Sequence, residues 1–591
     1  MTPRSAFAVI AALTLLAPAR SQGADAPAWL EEAARLEPAP FERSAGAVVL
    51  HDETRVTVSR NGQIVTRRMY AVRVLTRAGV EAAAVREVYL KGAGEVRAIR
   101  AWILNDGRTI QLPSSDTLDV AIVNNDLFNE VRAKVVAAPE SIPLQAVFGV
   151  ETETLDRTVF TQFEWPLQDE WPVRRVRRVL TLPSGWDIRS VTFNHAPIDA
   201  QRQGSSWTWA ADDLAAPPLE PAGPPVSGIV PRVAVTYFDS PTSATAFGTW
   251  ESVSSWLSTL QDSQAAATPA LTAKARELTA SAPTPLEKIA AIGRYVQKVQ
   301  YISIQTGLGR GGGYKPHAAA DVLAKNYGDC KDKANLMRVL LGSLGIRSHL
   351  VAIYSGDPFY VRQEWPSPQQ FNHAIIAVEV AADTRLAAVT TPQNMGTLLL
   401  FDPTDEQTPV GALPLYLQDS FGLVVMPKGG ALIRAPFSPA EANVSVRQVS
   451  GVLARDGTLK ATVVESSGGD AASRERWLFT SLSRDAYTRR LEAEIRRQVP
   501  GAVLTLGNAR EDAATNVFQR TVQLEARGYA QVLQNRLLLV RAPQSARGNL
   551  PALTADARQT PVLLDALEER DRFDFELPAG AMVDEMPKPA S

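Results

Sequence analysis

The chain has 591 residues, 45% of them hydrophobic and 21% charged, with a formal net charge of −2. This is ordinary globular composition, which excludes a disordered chain and, at domains of ~100–200 residues, calls for about three or four folding units. Near-neutral charge gives no global pull toward nucleic acid or an anionic membrane, and a lone cysteine, Cys330, excludes an internal disulfide or a cysteine-held structural zinc.

Taken in chain order, the N-terminus reads as a secretory signal over residues 1–26. Arg4 supplies positive charge, residues 6–17 are apolar apart from Thr14, and Ala17-Pro18-Ala19 and Ala24-Asp25-Ala26 offer small residues for cleavage. The stretch is short for a span of ~20 residues, and no cysteine lies near it to carry a lipid. The expectation is an exported protein, most simply periplasmic, with no transmembrane segment after the signal.

Residues 27–216 read as a β-rich domain. Val56 and Val58 alternate with polar residues before a hairpin turn at Asn61-Gly62, and Asp106-Gly107 repeats the turn signal after Trp102 and Leu104. Alternation at residues 176–180 supports an antiparallel, sandwich-like platform. Arg174, Arg175, Arg177 and Arg178 straddle valines, which predicts a solvated strand face rather than a nucleic-acid patch. Residues 217–246 form a proline-rich linker (Pro217, Pro218, Pro221, Pro224, Pro225) with one short strand, 233–237.

From residue 247 to about 430 the period becomes helical. Trp250 and Trp256 lie in a first helix. Thr284-Pro285-Leu286-Glu287 offers an N-cap, a first-turn proline and a capping-box glutamate. Ile289, Ile292, Val296 and Val299 then recur at helical spacing. The glycine-rich stretch 307–313 lacks a following Lys-Ser or Lys-Thr pair, so it reads as a mobile loop beside a cleft or a plain connector, not a nucleotide loop. A helix is predicted from Cys330 to near Gly345, and strands at 348–354, 374–380 and 398–401. Residues 431–591 return to β, with an Asp456-Gly457 hairpin and one helix at 483–498.

Cys330 carries the chemistry. Asp329 can cap a helix whose first turn contains the sulfur, so orphan N–H groups and the positive helix end favour thiolate. The Cys330 N–H is also placed to donate to a developing oxyanion. Lys331 and Lys333 add positive potential at most, a solvated lysine being the default for each. A thiolate nucleophile needs a base with an orienting partner. Among five histidines, His373 opens an apolar strand and suits that role. His317 is the second choice, His349 reads as structural, and His51 and His195 belong to the N-terminal region. Asp402 ends the strand 398–401, where it either orients the histidine or forms a turn with Pro403.

These residues resemble the transglutaminase-like (papain-like cysteine) superfamily. The resemblance rests on Tyr327-Gly328-Asp329-Cys330-Lys331-Asp332-Lys333-Ala334, Gly345-Ile346-Arg347, Asn372-His373-Ala374 and Phe401-Asp402-Pro403-Thr404. The chain is most similar to exported bacterial members with an N-terminal β-rich domain of unknown function (DUF3857-type). The resemblance implies a multidomain α+β protein with a transglutaminase-like core flanked by β-sandwich-like domains. It implies nucleophile Cys330, base His373 and orienting Asp402, with an upstream oxyanion donor for which Tyr301 or Gln305 is available, Tyr301 serving equally as buried packing. The implied reaction is attack on an amide to give a thioester, resolved by an amine or by water. A cysteine peptidase with the same triad and a noncatalytic envelope scaffold with a vestigial core remain alternatives. No acidic cluster marks a calcium site near the triad, so neither metal nor cofactor is expected. The implied substrate is a protein or peptide, with envelope proteins and peptidoglycan peptides available by location.

Overall fold

The computed structural model describes residues 25–36, 45–121, 131–241, 243, 245–302, 312–499, 501–512, 516–534, 536–541 and 557–586. Residues 1–24 of the expected signal, Gln305 and residues 307–311 of the glycine-rich stretch lie outside them. The chain divides into two compact units. The first comprises 1–379, 419–435 and 557–562; the second comprises 380–418, 436–556 and 563–591. The architecture is mixed α+β and multidomain. No helix among the described residues is long and apolar enough to cross a membrane.

In the first unit, an eight-stranded sheet runs in the order 201–203, 206–214, 173–181, 47–58, 63–74, 147–157, 95–105, 108–111. Both expected hairpin turns form here, with Gly62, Asp106 and Gly107 at positive φ, the region that tight turns require and glycine tolerates. A three-stranded sheet (Asp187–Phe193, Arg232–Phe238, Gln162–Pro166) packs Val233, Val235 and Tyr237 into the same core as Val72, Phe148 and Trp209. Its central strand is buried at every residue and pairs on both sides with strands that precede the proline-rich stretch. The opposite face of the large sheet is covered by helix Ala28–Ala34, whose Leu30 is fully buried. Gly149 makes room for it: a Cβ there would stand 2.4 Å from the Leu30 methyl carbons.

The basic run needs correction. Strand Val173–Thr181 buries Val176, Arg178 and Leu180, which share one face at period two. Arg178 therefore points inward, where it donates to Asp52 Oδ2 at 2.9 Å. Arg174 and Arg175 pair with Asp213 and Glu32, leaving Arg177 as the exposed member.

The remainder of the first unit is helical against a small sheet. Helices Trp250–Asp262, Pro269–Leu278, Pro285–Gln297, Ala319–Lys325 and Cys330–Gly342 accompany antiparallel strands in the order His373–Glu379, Ser348–Ile353, Phe421–Val424, Leu432–Arg434. The expected capping box at Thr284 forms with Glu287, and Ile289, Ile292, Val296 and Val299 are all buried. Helix Cys330–Gly342 is the middle of this region. It packs against three of the other helices and against strands His373–Glu379 and Ser348–Ile353, and all but a few of its side chains are buried.

The second unit contains the short hairpin Val389–Thr390/Leu398–Phe401 and a five-stranded sheet in the order 502–512, 517–526, 459–467, 444–453, 568–576. Two helices cover that sheet, Gly469–Ser481 and Arg484–Gln498, where the sequence pattern predicts only the second. The missed helix starts at Gly468-Gly469 with no side-chain cap, so the usual start signal is absent.

Candidate functional site

Cys330 is the first residue of its helix and is half-buried. Asp329 is the N-cap: its Oδ1 accepts from the Asp332 N–H at 3.3 Å, and Asp332 Oδ2 accepts from the Asp329 N–H at 3.2 Å. This reciprocal box fixes the entry of the chain. Gly328 makes it sterically feasible, because a Cβ there would lie 2.6 Å from Asp332 Cβ. The sulfur thus stands at the positive end of a thirteen-residue helix whose start is held rigidly.

Neither lysine of the motif is solvated. Lys333 is 1% exposed, and its ammonium donates to the carbonyls of Gln297 at 3.1 Å and Val299 at 2.8 Å. It closes the C-terminal end of helix Pro285–Gln297, where orphan carbonyls attract cations. Lys331 is likewise buried and pairs with the Asp329 carboxylate. Burial works against its charge, but Asp329, Asp332 and Cys330 outweigh that and hold its ammonium above the ordinary lysine range.

His317, the second-choice base, is committed elsewhere. Its N–H donates to Asp332 Oδ1 at 2.7 Å, and its ring Nδ1 lies 2.8 Å from Asp332 Oδ2. Burial raises the Asp332 pKa, yet the His317 bonds and the Lys331 charge prevail and hold that carboxyl below its usual range. The interaction ties the segment before helix Ala319–Lys325 to the first turn of the cysteine helix. Sequence reasoning missed it, because no local signal joins residues fifteen apart.

His373 opens strand His373–Glu379 opposite Ile353 and is half-buried. Its predecessor Asn372 grips the other strand end, accepting from the Ser355 N–H at 2.7 Å and donating to the Ser355 carbonyl at 3.1 Å. The backbone just before His373 is therefore tied to Ser355 by two hydrogen bonds. His349 faces Glu379 at 3.1 Å from within its strand, the structural role expected of it. His51 packs on Trp29, and His195 is exposed beside the Ala196 carbonyl.

Asp402 belongs to the second unit, directly after strand Leu398–Phe401, and is 1% exposed. Its Oδ1 accepts from the N–H and hydroxyl of Thr404 at 2.8 and 2.6 Å, so it does close a turn over Pro403. Its Oδ2 accepts from the Tyr416 hydroxyl at 3.0 Å. Burial and the Asp402 charge push the Tyr416 phenol well above its ordinary range, which keeps it a donor. A carboxylate held by three donors has one fixed orientation.

Tyr301 sits in the two-residue strand Gln300–Tyr301, opposite Gly328 in a parallel pair with Tyr327–Gly328. It is 49% exposed, which removes the buried-packing alternative.

Two family models match the chain. One is a domain of unknown function, DUF3857, over residues 60–218, and the other is the transglutaminase-like superfamily over residues 272–383. No curated protein matches. A crystal structure described as a "putative protease" from Parabacteroides distasonis is 13% identical, covering 82% of this chain and 93% of its own, with a TM-score of 0.53. A "putative cysteine protease" from Cytophaga hutchinsonii is 11% identical over 63% of this chain and 86% of its own, at a TM-score of 0.17. The M1 zinc metallopeptidase of Deinococcus radiodurans is 11% identical over 32% and 42%, at 0.18. The last two likenesses are too loose to bear on the fold. Residues 272–383, which hold both Cys330 and His373, thus match the transglutaminase-like superfamily, and residues 60–218 before them match DUF3857; the Parabacteroides structure shares the fold over most of both chains.

Proposed function

We propose that the protein performs thiol-dependent acyl transfer or hydrolysis on amide bonds of a protein or peptide, with Cys330 as nucleophile, His373 as general base and Asp402 as the group that orients it. The observation that carries this reading is the chain's only thiol, placed at the first position of a side-chain-capped helix that packs on the strand opened by His373. The transglutaminase-like match over both residues supports it. The helix end and the buried Lys331 favour thiolate.

The thiolate attacks the amide carbonyl, and the N–H of Cys330 is placed to receive the oxyanion. Imidazolium at His373 then protonates the leaving amine, giving a thioester on Cys330. Either a second amine or water resolves the thioester, with His373 removing its proton. Tyr301, which pairs with Gly328 two residues before the cysteine, is the candidate for a further oxyanion donor. If the N-terminal segment directs export, the substrates are those of the bacterial envelope, either proteins or peptidoglycan peptides.

Alkylation by limiting iodoacetamide between about pH 5 and 9 tests the reading. Cys330 in the native protein should be alkylated faster than a model thiol, and His373→Ala should shift that profile and abolish turnover while the fold survives. Labelling that follows a model thiol in the native protein would remove Cys330 as an activated nucleophile.

A further inference from the structure

Strands Ser348–Ile353 and His373–Glu379 are neighbours in register, yet the chain between them makes a long excursion, 354–372. Long loops inside compact units need a cause. Here the excursion is held internally and externally. Inside it, the fully buried Gln370 side chain accepts from the Arg362 N–H at 2.7 Å and donates to the Trp365 carbonyl at 2.6 Å. Outside it, the partner is the three-stranded sheet of the N-terminal region.

Two buried contacts make that attachment. Gln162 donates to the Pro366 carbonyl at 2.9 Å and to the Thr236 hydroxyl at 3.0 Å, and the same hydroxyl accepts from the Trp365 indole N–H at 3.1 Å. Nearby, Arg232 is 2% exposed and pairs with Glu164. Its guanidinium donates to the Tyr360 carbonyl at 3.1 Å and lies 4.4 Å from the centre of that ring, while the Tyr360 hydroxyl donates to Glu164 at 3.2 Å. A buried ion pair is costly to assemble and strongly destabilising when half-removed. These two spend their hydrogen bonds on a loop that ends one residue before His373.

We propose that the three-stranded sheet is a positioning part of the candidate site: by gripping the 354–371 loop through Arg232–Glu164 and Gln162–Thr236, it fixes the point at which Asn372 and His373 enter their strand. The inference rests on His373 being the base. Arg232, Glu164, Gln162 and Trp365 are positioning residues, acting through the loop. On this account the N-terminal region is built into the active site rather than appended to it.

The test uses the full chain. Trp365→Phe removes one anchoring N–H and trims a buried ring, and the double variant Arg232→Met/Glu164→Gln removes the ion pair without stranding a charge. Two readouts are taken: amide hydrogen exchange of residues 354–371 and the pH profile of Cys330 alkylation. The expected result is loop exchange faster by about tenfold or more, with strand protection in the eight-stranded sheet retained. The alkylation profile should move toward that of His373→Ala. Faster loop exchange with an unchanged profile would overturn the positioning role, and unchanged loop exchange would overturn the grip itself. Should the double variant not fold, Trp365→Phe decides alone. Failure of the catalytic reading looks different: His373→Ala and wild type would then share one profile, whatever the loop does.

Discussion

The first turn of the Cys330 helix gathers more charge than its exposure suggests. Asp329, Lys331 and Asp332 are all buried, and each serves a different structural duty: cap, counter-charge and anchor for His317. Lys331 is the member that speaks to the sulfur. With its ammonium held protonated, Lys331→Met should slow Cys330 alkylation near neutral pH by about threefold or more. An unchanged rate would assign thiolate stabilisation to the helix end alone. Gly328→Ala probes the same turn sterically. A Cβ 2.6 Å from Asp332 Cβ forces a backbone shift costing about 1–3 kcal/mol, to be read as a lowered thermal midpoint. Much of this was legible beforehand: the lone thiol, the Asp cap and the histidine at a strand start are local signals. The lysines were not. Solvated side chains were expected, but the partners of Lys333 are carbonyls more than thirty residues upstream, and no pattern of neighbours announces them.

Among elements, capped helices follow their sequences closely. Thr284 and Asp329 each accept the N3 backbone N–H, as their spacing predicts, and Thr284→Ala should cost about 1 kcal/mol in equilibrium unfolding. Helix Gly469–Ser481 escaped notice because it begins on two glycines. Strands 47–58 and 173–181 show the harder problem. They pair in parallel, and Asp52 on one meets Arg178 on the other. Burial raises the Asp52 pKa, but Arg178 and Arg68 overcome it and pull the carboxyl down to about 2. A folded pKa below the unfolded value contributes stability that is complete above ~pH 4 and disappears as pH falls through the folded pKa, here roughly 2 to 3 kcal/mol. Hydrogen exchange of strand 47–58 from about pH 6 down to 2.5 should therefore show an acid-dependent loss of protection that Asp52→Asn lacks. Identical pH dependence in both proteins would refute the assignment. From sequence, Arg178 looked like part of a solvated face, because the doubled arginines mask which one shares the period of Val176 and Leu180.

At the scale of the whole molecule, the mixed α+β class and the succession of β-rich, helical and β-rich stretches were readable from period and turn signals. The pairing of sheets was not. Strand Arg232–Phe238 looked like part of a linker, yet it is the buried centre of a sheet made with strands from before the proline-rich stretch. Sequence patterns report burial and turns, whereas register between distant strands depends on three-dimensional closure. That same strand supplies Arg232 and Thr236 to the loop before His373, so the part of the fold least visible in sequence bears on the proposed site.

The central claim is that Cys330 accepts an acyl group from an amide. Intact-mass analysis and peptide mapping after incubation with a peptide-amide library test it most directly. The account predicts a hydroxylamine-labile adduct on the Cys330 peptide of the wild-type protein, accumulating without turnover when the second step is slowed and absent from Cys330→Ala. Amide turnover by Cys330→Ala at the wild-type rate would contradict it.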